Sequence, residues 1–333
     1  MEELKFENMN KKLGWCYKLY VTSLVFCFVL SVLYMLPLKK VVKNNVWIEE
    51  YVQISAHRGG ALLNPENTKK AFDYVIKETS YTDIVEIDLR LTKDKVVVIN
   101  HDGDINRMAL DENEECIDID SYNYNELINY NLGRNFVDLN GHKPYLNYSI
   151  EQAREDGLTL MSLESFFEEY NEVRDFKVFL EIKESDGKGK YIVQEIMGLF
   201  ERYSWFKDRS MIVSFNDDFV DYLSNEYSYL YVGALGRKTA YQIGFSKLGI
   251  DCFYNPKYEA IHIPYNEEAK NKFPLDLASK RMVDLFKKRN QLVVYWGIDN
   301  VNDMKRVVKS GAHVITTDRP DLLANLLGRW YKW

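Results

Sequence analysis

His57-Arg58-Gly59-Gly60 ends one β-like run, and Glu86 and Asp88 sit two residues apart in a second. His101-Asp102 ends the continuation of that second run, while Glu181 and Lys183 repeat the i, i+2 spacing in a third. Residues two apart in a strand point to one side of the sheet. Val85, Ile87, Leu89 and Leu91 take the alternate positions, which turns Glu86 and Asp88 away from the apolar packing. A lone Glu-x-Asp pair is commonly a solvated face; the apolar alternation is what points these two inward. Buried carboxylates need a partner. Three of them, with no cysteine and no His-x-x-x-His spacing nearby, form a hard-oxygen set that suits Ca2+ or Mg2+ and disfavours Zn2+ or copper. Arg58 and Lys183 beside that set suggest an anionic ligand, most simply a phosphate. His57 and His101 suit acid–base work there, one accepting a proton and the other donating one.

The elements that must position these groups follow a beat of short apolar runs and longer amphipathic ones. Strands are expected at Gln53–His57, Asp83–Leu91 with Val96–Asn100 as its extension, Val178–Ile182, Met211–Phe215, Tyr229–Ala234, Cys252–Tyr254, Leu292–Trp296 and Val314–Thr316. Helices are expected at Asn67–Thr79, Tyr191–Tyr203, Asp217–Asn225, near Ala240, Leu275–Arg289, Val301–Lys309 and Pro320–Leu327. Asn67 is the expected cap of the first. Residues 104–161, rich in Asn, Asp and Tyr, break the rhythm and read as an insertion after the second strand. Eight strand–helix units predict a closed α/β TIM barrel, (β/α)8, with functional groups at the C-terminal strand ends. An open doubly wound sheet is the alternative, but no Gly-x-Gly-x-x-Gly follows the first strand.

One segment stands apart. Leu19–Leu38 is a 20-residue run without a charge, flanked by Lys18 and Lys39. At about 1.5 Å per residue it spans roughly 30 Å, the hydrocarbon thickness of a bilayer. A buried core helix rarely lacks charge over five turns, and no A-x-A-like cleavage site follows. The expected organisation is a tail (1–18), a single transmembrane anchor (19–38) in membrane lipid, a linker (39–52) and the barrel (53–333). Lysines flank the run four against three, so charge does not orient it; the short preceding tail favours an extracytoplasmic main domain. The 333 residues carry a net charge of −7. Residues 1–43 hold seven lysines against three glutamates, a net of +4, which leaves −11 on the rest. Such a body is a poor partner for nucleic acid and for anionic lipid. Four cysteines lack any C-x-x-C spacing, so neither a zinc ribbon nor a disulfide framework is expected.

At these residues the chain resembles the glycerophosphodiester phosphodiesterase family. The likeness runs through His57-Arg58-Gly59, Pro65-Glu66-Asn67-Thr68, Glu86-Ile87-Asp88, Thr92-Lys93-Asp94, His101-Asp102, Glu181-Ile182-Lys183, Ser214-Phe215, Trp296 and Thr317-Asp318-Arg319-Pro320, in family order and spacing. The resemblance implies a TIM barrel with a small insertion and hydrolysis of glycerophosphodiesters to glycerol 3-phosphate and an alcohol. It further implies His57 and His101 as the acid–base pair, and Glu86, Asp88 and Glu181 as ligands of one Ca2+ or Mg2+. Arg58 and Lys183 would contact the phosphate, and Trp296 would wall the pocket. The substrate would be a deacylated phospholipid, a lysolipid or a glycerophosphate polymer. Two departures stand out: Trp296-Gly297-Ile298-Asp299 where the family reads Trp-Thr-Val-Asn, and Lys95 in place of a turn glycine. The other readings are a phosphatidylinositol-specific phospholipase C-like enzyme and an anchored barrel that binds phosphodiester head groups without turnover. His142, His262 and His313 match no motif and read as surface or satisfied core groups.

Overall fold

Strands this short and apolar cannot stand alone; each satisfies its backbone by pairing with the next until the first meets the last. The computed structural model describes residues 2–35, 45–110, 114–272 and 275–329. Strands β1 (Gln53–Ala56), β2 (Ile84–Leu91), β3 (Val97–Ile99), β4 (Lys177–Ile182), β5 (Ser210–Ser214), β6 (Tyr231–Ala234), β7 (Ala260–Pro264), β8 (Leu292–Trp296) and β9 (Val314–Thr317) form one sheet. Eight run parallel, and β1 pairs with both β2 and β9, which closes the ring. The TIM barrel expected from the alternation is therefore observed.

Outward strand residues such as Val85, Ile87 and Leu89 pack with helix residues such as Phe166, Ile192 and Val283 in the main core. Inward residues Ile84, Phe179, Met211, Ala260, Leu292 and Val314 fill the lower lumen. Residues 104–161 carry short helices and their own small core around Ile105, Met108, Leu127 and Leu160.

Four expectations are corrected. Val96–Asn100 does not extend β2: its strand, β3, folds back antiparallel, with Leu89 opposite Ile99. Lys95 makes the reversal by adopting φ +64°, which explains why glycine suits that position. Cys252–Tyr254 is not a strand but overlaps a 3-10 turn, Asp251–Phe253; the sixth barrel strand is β7. Pro264 is tolerated because it ends the strand, where the ladder passes on through the Tyr265 N–H to the Trp296 carbonyl (3.0 Å). The first helix starts two residues later than expected, over Lys69–Asp73, then widens into a π turn at Tyr74–Glu78. Thr68, not Asn67, caps it by accepting from the Ala71 N–H.

At the N-terminus, the expected tail and apolar run form one helix, Glu2–Met35. Its segment Lys12–Val32 is long and apolar enough to cross a membrane and is unburied by the rest of the chain. Residues 36–38 of the expected anchor and 39–44 of the expected linker lie outside the described residues. The remainder of that linker is part of the barrel. Trp47 is fully buried in the lower lumen, stacked 5.4 Å from Phe179, and Asn45 Nδ2 donates to the Glu259 and Asn290 carbonyls.

Candidate active site

The eight-fold closure brings the polar strand ends to one mouth. His57 follows β1 in a tight turn, His57–Gly59, in which Arg58 adopts φ +50°. Gly59 is required here: at φ +81°, an added Cβ would lie 2.9 Å from the Ala71 Cβ. Glu86 and Asp88 project inward from β2, and Glu181 from the neighbouring β4, where it pairs in register with Asp88. The β2–β3 reversal carries His101 to the same mouth, since the Asn100 N–H bonds back to the Asp88 carbonyl (2.9 Å).

A cavity of about 90 Å3 is lined by His57, Arg58, Glu86, His101, Glu181, Lys183 and Trp296, with Phe179 and His262 below. Seven of the eight sequence-expected residues therefore converge on its wall. The eighth, Asp88, is fully buried behind it.

Carboxylate oxygens of Glu86, Asp88 and Glu181 all lie within 4.8 Å of one another. Lys183 Nζ bridges Asp88 Oδ1 (2.8 Å) and Glu181 Oε1. Arg58 donates from its backbone to Glu86 Oε2 (2.9 Å) and from its guanidinium to Glu66 (3.0 Å), and its Nε lies 3.5 Å from Asp88. Asn67, held at φ +55°, donates to Asp88 Oδ2 (2.8 Å). The two cations do not balance the cluster. Burial, then the Asp88 charge, pushes the Glu86 carboxyl up to about 8. Burial pushes Asp88 the same way, but Lys183 and Arg58 outweigh it and hold this carboxyl well below the usual range. Glu86 Oε1 is buried without a hydrogen-bond partner among the described residues. An orphaned buried oxygen, two carboxylates beside it and a shortfall of positive charge fit a hard divalent cation.

Each histidine has a carboxylate on Nδ1. His57 Nδ1 lies 2.7 Å from Asp318 Oδ1, and His101 Nδ1 lies 2.8 Å from Asp102 Oδ1. That contact fixes the Nδ1–H tautomer and orients Nε2. Burial disfavours the His57 imidazolium, but the charge and hydrogen bond of Asp318, then the Glu86 charge, raise it to about 9. Asp102 is held well below the usual range, first by its bond to His101 and, against burial, by Arg107. Arg107 also spans to both oxygens of Glu66 (2.7 and 3.0 Å), so Glu66 bridges Arg58 and Arg107.

Asp318, which holds His57 Nδ1, entered the sequence reading only as part of a motif, with no role of its own. Its signal was the Thr317-Asp318-Arg319-Pro320 run at the last strand end. Asp299, at the departure from the family's Trp-Thr-Val-Asn, accepts from the Asp318 N–H (2.8 Å) and Thr317 Oγ1 (2.9 Å) and so holds that loop. His262 is not a satisfied core group. It is buried on β7 with Nε2 unpartnered among the described residues, and burial lowers it to about 3. Its signal was the alternation Ala260-Ile261-His262-Ile263, masked by the proline that follows. His313 is a satisfied core group, accepting from the Val293 N–H (2.9 Å), and His142 is an exposed neighbour of Asp138.

Comparison with known proteins gives the family and the fold. Residues 57–322 match the model of the glycerophosphoryl diester phosphodiesterase family. A glycerophosphodiester phosphodiesterase of Caldanaerobacter subterraneus is 26% identical over 275 residues, covering 82% of this chain and 97% of the relative. A human lysophospholipase D is 23% identical, covering 83% and 85%. Among solved structures, the glycerophosphoryl diester phosphodiesterase domain of a Mycobacterium tuberculosis protein superposes with a TM-score of 0.64 at 20% identity, covering 84% of this chain and all of that one. An Oleispira antarctica phosphodiesterase, solved with the product sn-glycerol-3-phosphate, gives 0.60 at 18% identity, covering 84% and 97%.

Proposed function

The chain belongs to the glycerophosphoryl diester phosphodiesterase family, and from that premise we propose metal-dependent hydrolysis of glycerophosphodiesters by the His57 and His101 pair. The observation that carries this reading is the convergence of two carboxylate-oriented histidines on a cavity walled by a buried, undercompensated carboxylate cluster. Glu86, Asp88 and Glu181 would hold Ca2+ or Mg2+, which when bound polarises the phosphoryl oxygens as a Lewis acid.

The chain's own residues do the rest. Arg58 and Lys183 line the cavity and supply positive charge to the phosphate. Trp296 walls the pocket. One histidine accepts the proton of the glycerol hydroxyl next to the phosphate, and that oxygen bonds to phosphorus. The other histidine protonates the leaving alcohol as its P–O bond breaks. Holding hydroxyl and phosphate in one molecule makes the first step intramolecular. Water then opens the cyclic phosphate with the histidine roles reversed, giving glycerol 3-phosphate.

The full chain, purified in detergent, is expected to release glycerol 3-phosphate from glycerophosphocholine, and to lose that activity with chelator or in His57→Ala and His101→Ala. Undiminished turnover in either variant refutes the two-histidine mechanism, and turnover indifferent to chelator refutes the metal.

The same reading takes Lys12–Val32 as a single-pass anchor with the barrel on the extracytoplasmic side. Support comes from its length, apolar composition and lack of burial. Retention in membranes after alkaline carbonate wash, with the barrel digestible from outside intact cells, is the expected result. A mature chain that begins beyond the helix would instead make it a cleaved leader.

A further inference from the structure

Leu248 and Phe253 are the most exposed large apolar side chains of the barrel among the described residues, at 69% and 65%. Next comes Tyr229 at 61%, which keeps a hydroxyl in water. Water disfavours such surface, although single exposed side chains are ordinary. These two are not scattered. They share one feature, the end of helix Arg237–Leu248 and the 3-10 turn Asp251–Phe253 that follows it. Gly249, at φ +72°, ends the helix, and the Phe253 N–H donates to the Ile250 carbonyl (3.1 Å). Arg289, itself buried, supports the turn from beneath by donating to the Asp251 and Tyr254 carbonyls. Both apolar side chains are therefore fixed outward, and a contact made through them costs little ordering.

The turn sits where the chain from the apolar helix joins the barrel. Asn45 pins that chain to the base by donating to the carbonyls of Glu259 and Asn290, which lead into β7 and β8; the turn leads into β7 as well. At about 3.5 Å per residue, Met35 and Asn45 can be no more than roughly 35 Å apart. The helix Glu2–Met35 itself lies beside the Asp251–Phe253 turn. Charge around the tip suits a lipid surface. Lys247 and Lys257 bracket it, the only acid between them, Asp251, is buried, and Arg281 reaches over Gly249. An acidic chain is thus locally basic at this turn. An apolar tip ringed by cations is the make-up of an interfacial anchor.

We propose that the turn at 248–253 docks in the interfacial zone of the bilayer that holds the helix Glu2–Met35, with anionic head groups against Lys247, Lys257 and Arg281. The proposal rests on the anchor reading above, to which it adds a fixed orientation, and not on the catalytic one. The strands run from this base towards the mouth that His57 and His101 share. Docking the base therefore turns the mouth away from the bilayer, and substrate enters from the aqueous side. A barrel held by its tether alone would tumble and offer its mouth in every direction.

The test uses the full chain in nanodiscs of equimolar phosphatidylcholine and phosphatidylglycerol, with and without bromine on the acyl chains, which quenches tryptophan on contact. Phe253→Trp places a reporter at the tip, and Phe215→Trp places one at the mouth, where Phe215 lines the catalytic cavity. Emission is read as the gain over the unsubstituted chain. Bromine is expected to remove roughly half of the Phe253→Trp gain, because an interfacial side chain sits about 5–10 Å deep, and less than about a tenth of the Phe215→Trp gain. Adding Leu248→Ser to Phe253→Trp should reduce that quenching about twofold. An unquenched Phe253→Trp, quenching indifferent to Leu248→Ser, or equal quenching of Phe215→Trp overturns the docking. If the mature chain begins beyond the helix, the anchor reading fails, and that shorter chain decides the docking by itself. It should then co-sediment with vesicles of the same lipids at least about tenfold more than Leu248→Ser/Phe253→Ser does; equal sedimentation overturns the docking as well.

Discussion

Asp318→Asn removes the charge that orients His57 while nearly keeping the side-chain shape. The pair is close, 2.7 Å from Nδ1 to Oδ1, and little exposed, at 18% and 23% of the two side chains. Against the penalty of burial, Asp318 first and Glu86 second lift the His57 imidazolium from 6.5 to about 9. At 1.36 kcal/mol per pH unit this is roughly 3 kcal/mol of preference for the protonated ring. His57 carries a proton at one of the two transition states, so losing that preference lowers kcat about 10²-fold. That lies within the roughly 10²–10⁴-fold that a positioned acid or base contributes. The loop itself should stay in place, because the Asp318 N–H still donates to Asp299. The assay is glycerol 3-phosphate release at saturating glycerophosphocholine between pH 5 and 10, with thermal denaturation in parallel. kcat should fall with little change in KM or melting temperature. Because the variant loses the partner that raises the His57 pKa, the limb of the pH profile belonging to His57 should move to lower pH. A kcat within about threefold of wild type, together with an unmoved profile, would refute the positioning role of Asp318.

Three further outcomes follow from other parts of the fold. Glu181→Gln should weaken Ca2+ affinity by more than about tenfold by calorimetry, since even a residue outside the ligand shell is worth that much, and should abolish any rise in melting temperature with added Ca2+. Burial raises the Glu259 carboxyl from 4.5 to about 7, although the Val232 N–H bond opposes it. A raised folded value means its contribution is fully present below pH 4.5 and is lost as pH rises through 7. Glu259→Gln, which still accepts from Val232, should therefore remove up to about 3 kcal/mol of the stability lost between pH 4.5 and 8, read from denaturant curves. Trp47→Ala should cost about 3–5 kcal/mol by the same measurement, because it empties the floor of the barrel.

The two histidines, three carboxylates, Arg58 and Lys183 were legible in the sequence because each lies at a strand end or on the inward beat of an alternating run, whereas Trp296 was expected only from the family resemblance. The barrel was legible because eight apolar runs alternate with amphipathic ones, and a parallel strand buried on both faces leaves that pattern locally. β7 was missed because its proline and central histidine imitate a loop. β3 was read as an extension because periodicity gives no direction: only the left-handed turn at Lys95 reverses the chain and sends His101 back over Asp88.

What the sequence by itself determined is which residues face inward and in what order, since period-two alternation is a local property of the chain. What only the tertiary structure decided is who meets whom. His57 and Asp318 are 261 residues apart and touch only because β1 pairs with β9 to close the ring. Closure also turns Trp47, in a run that reads as a linker, into the barrel floor. Such contacts depend on the sum of strand pairings around the barrel, and no window of the sequence contains that sum.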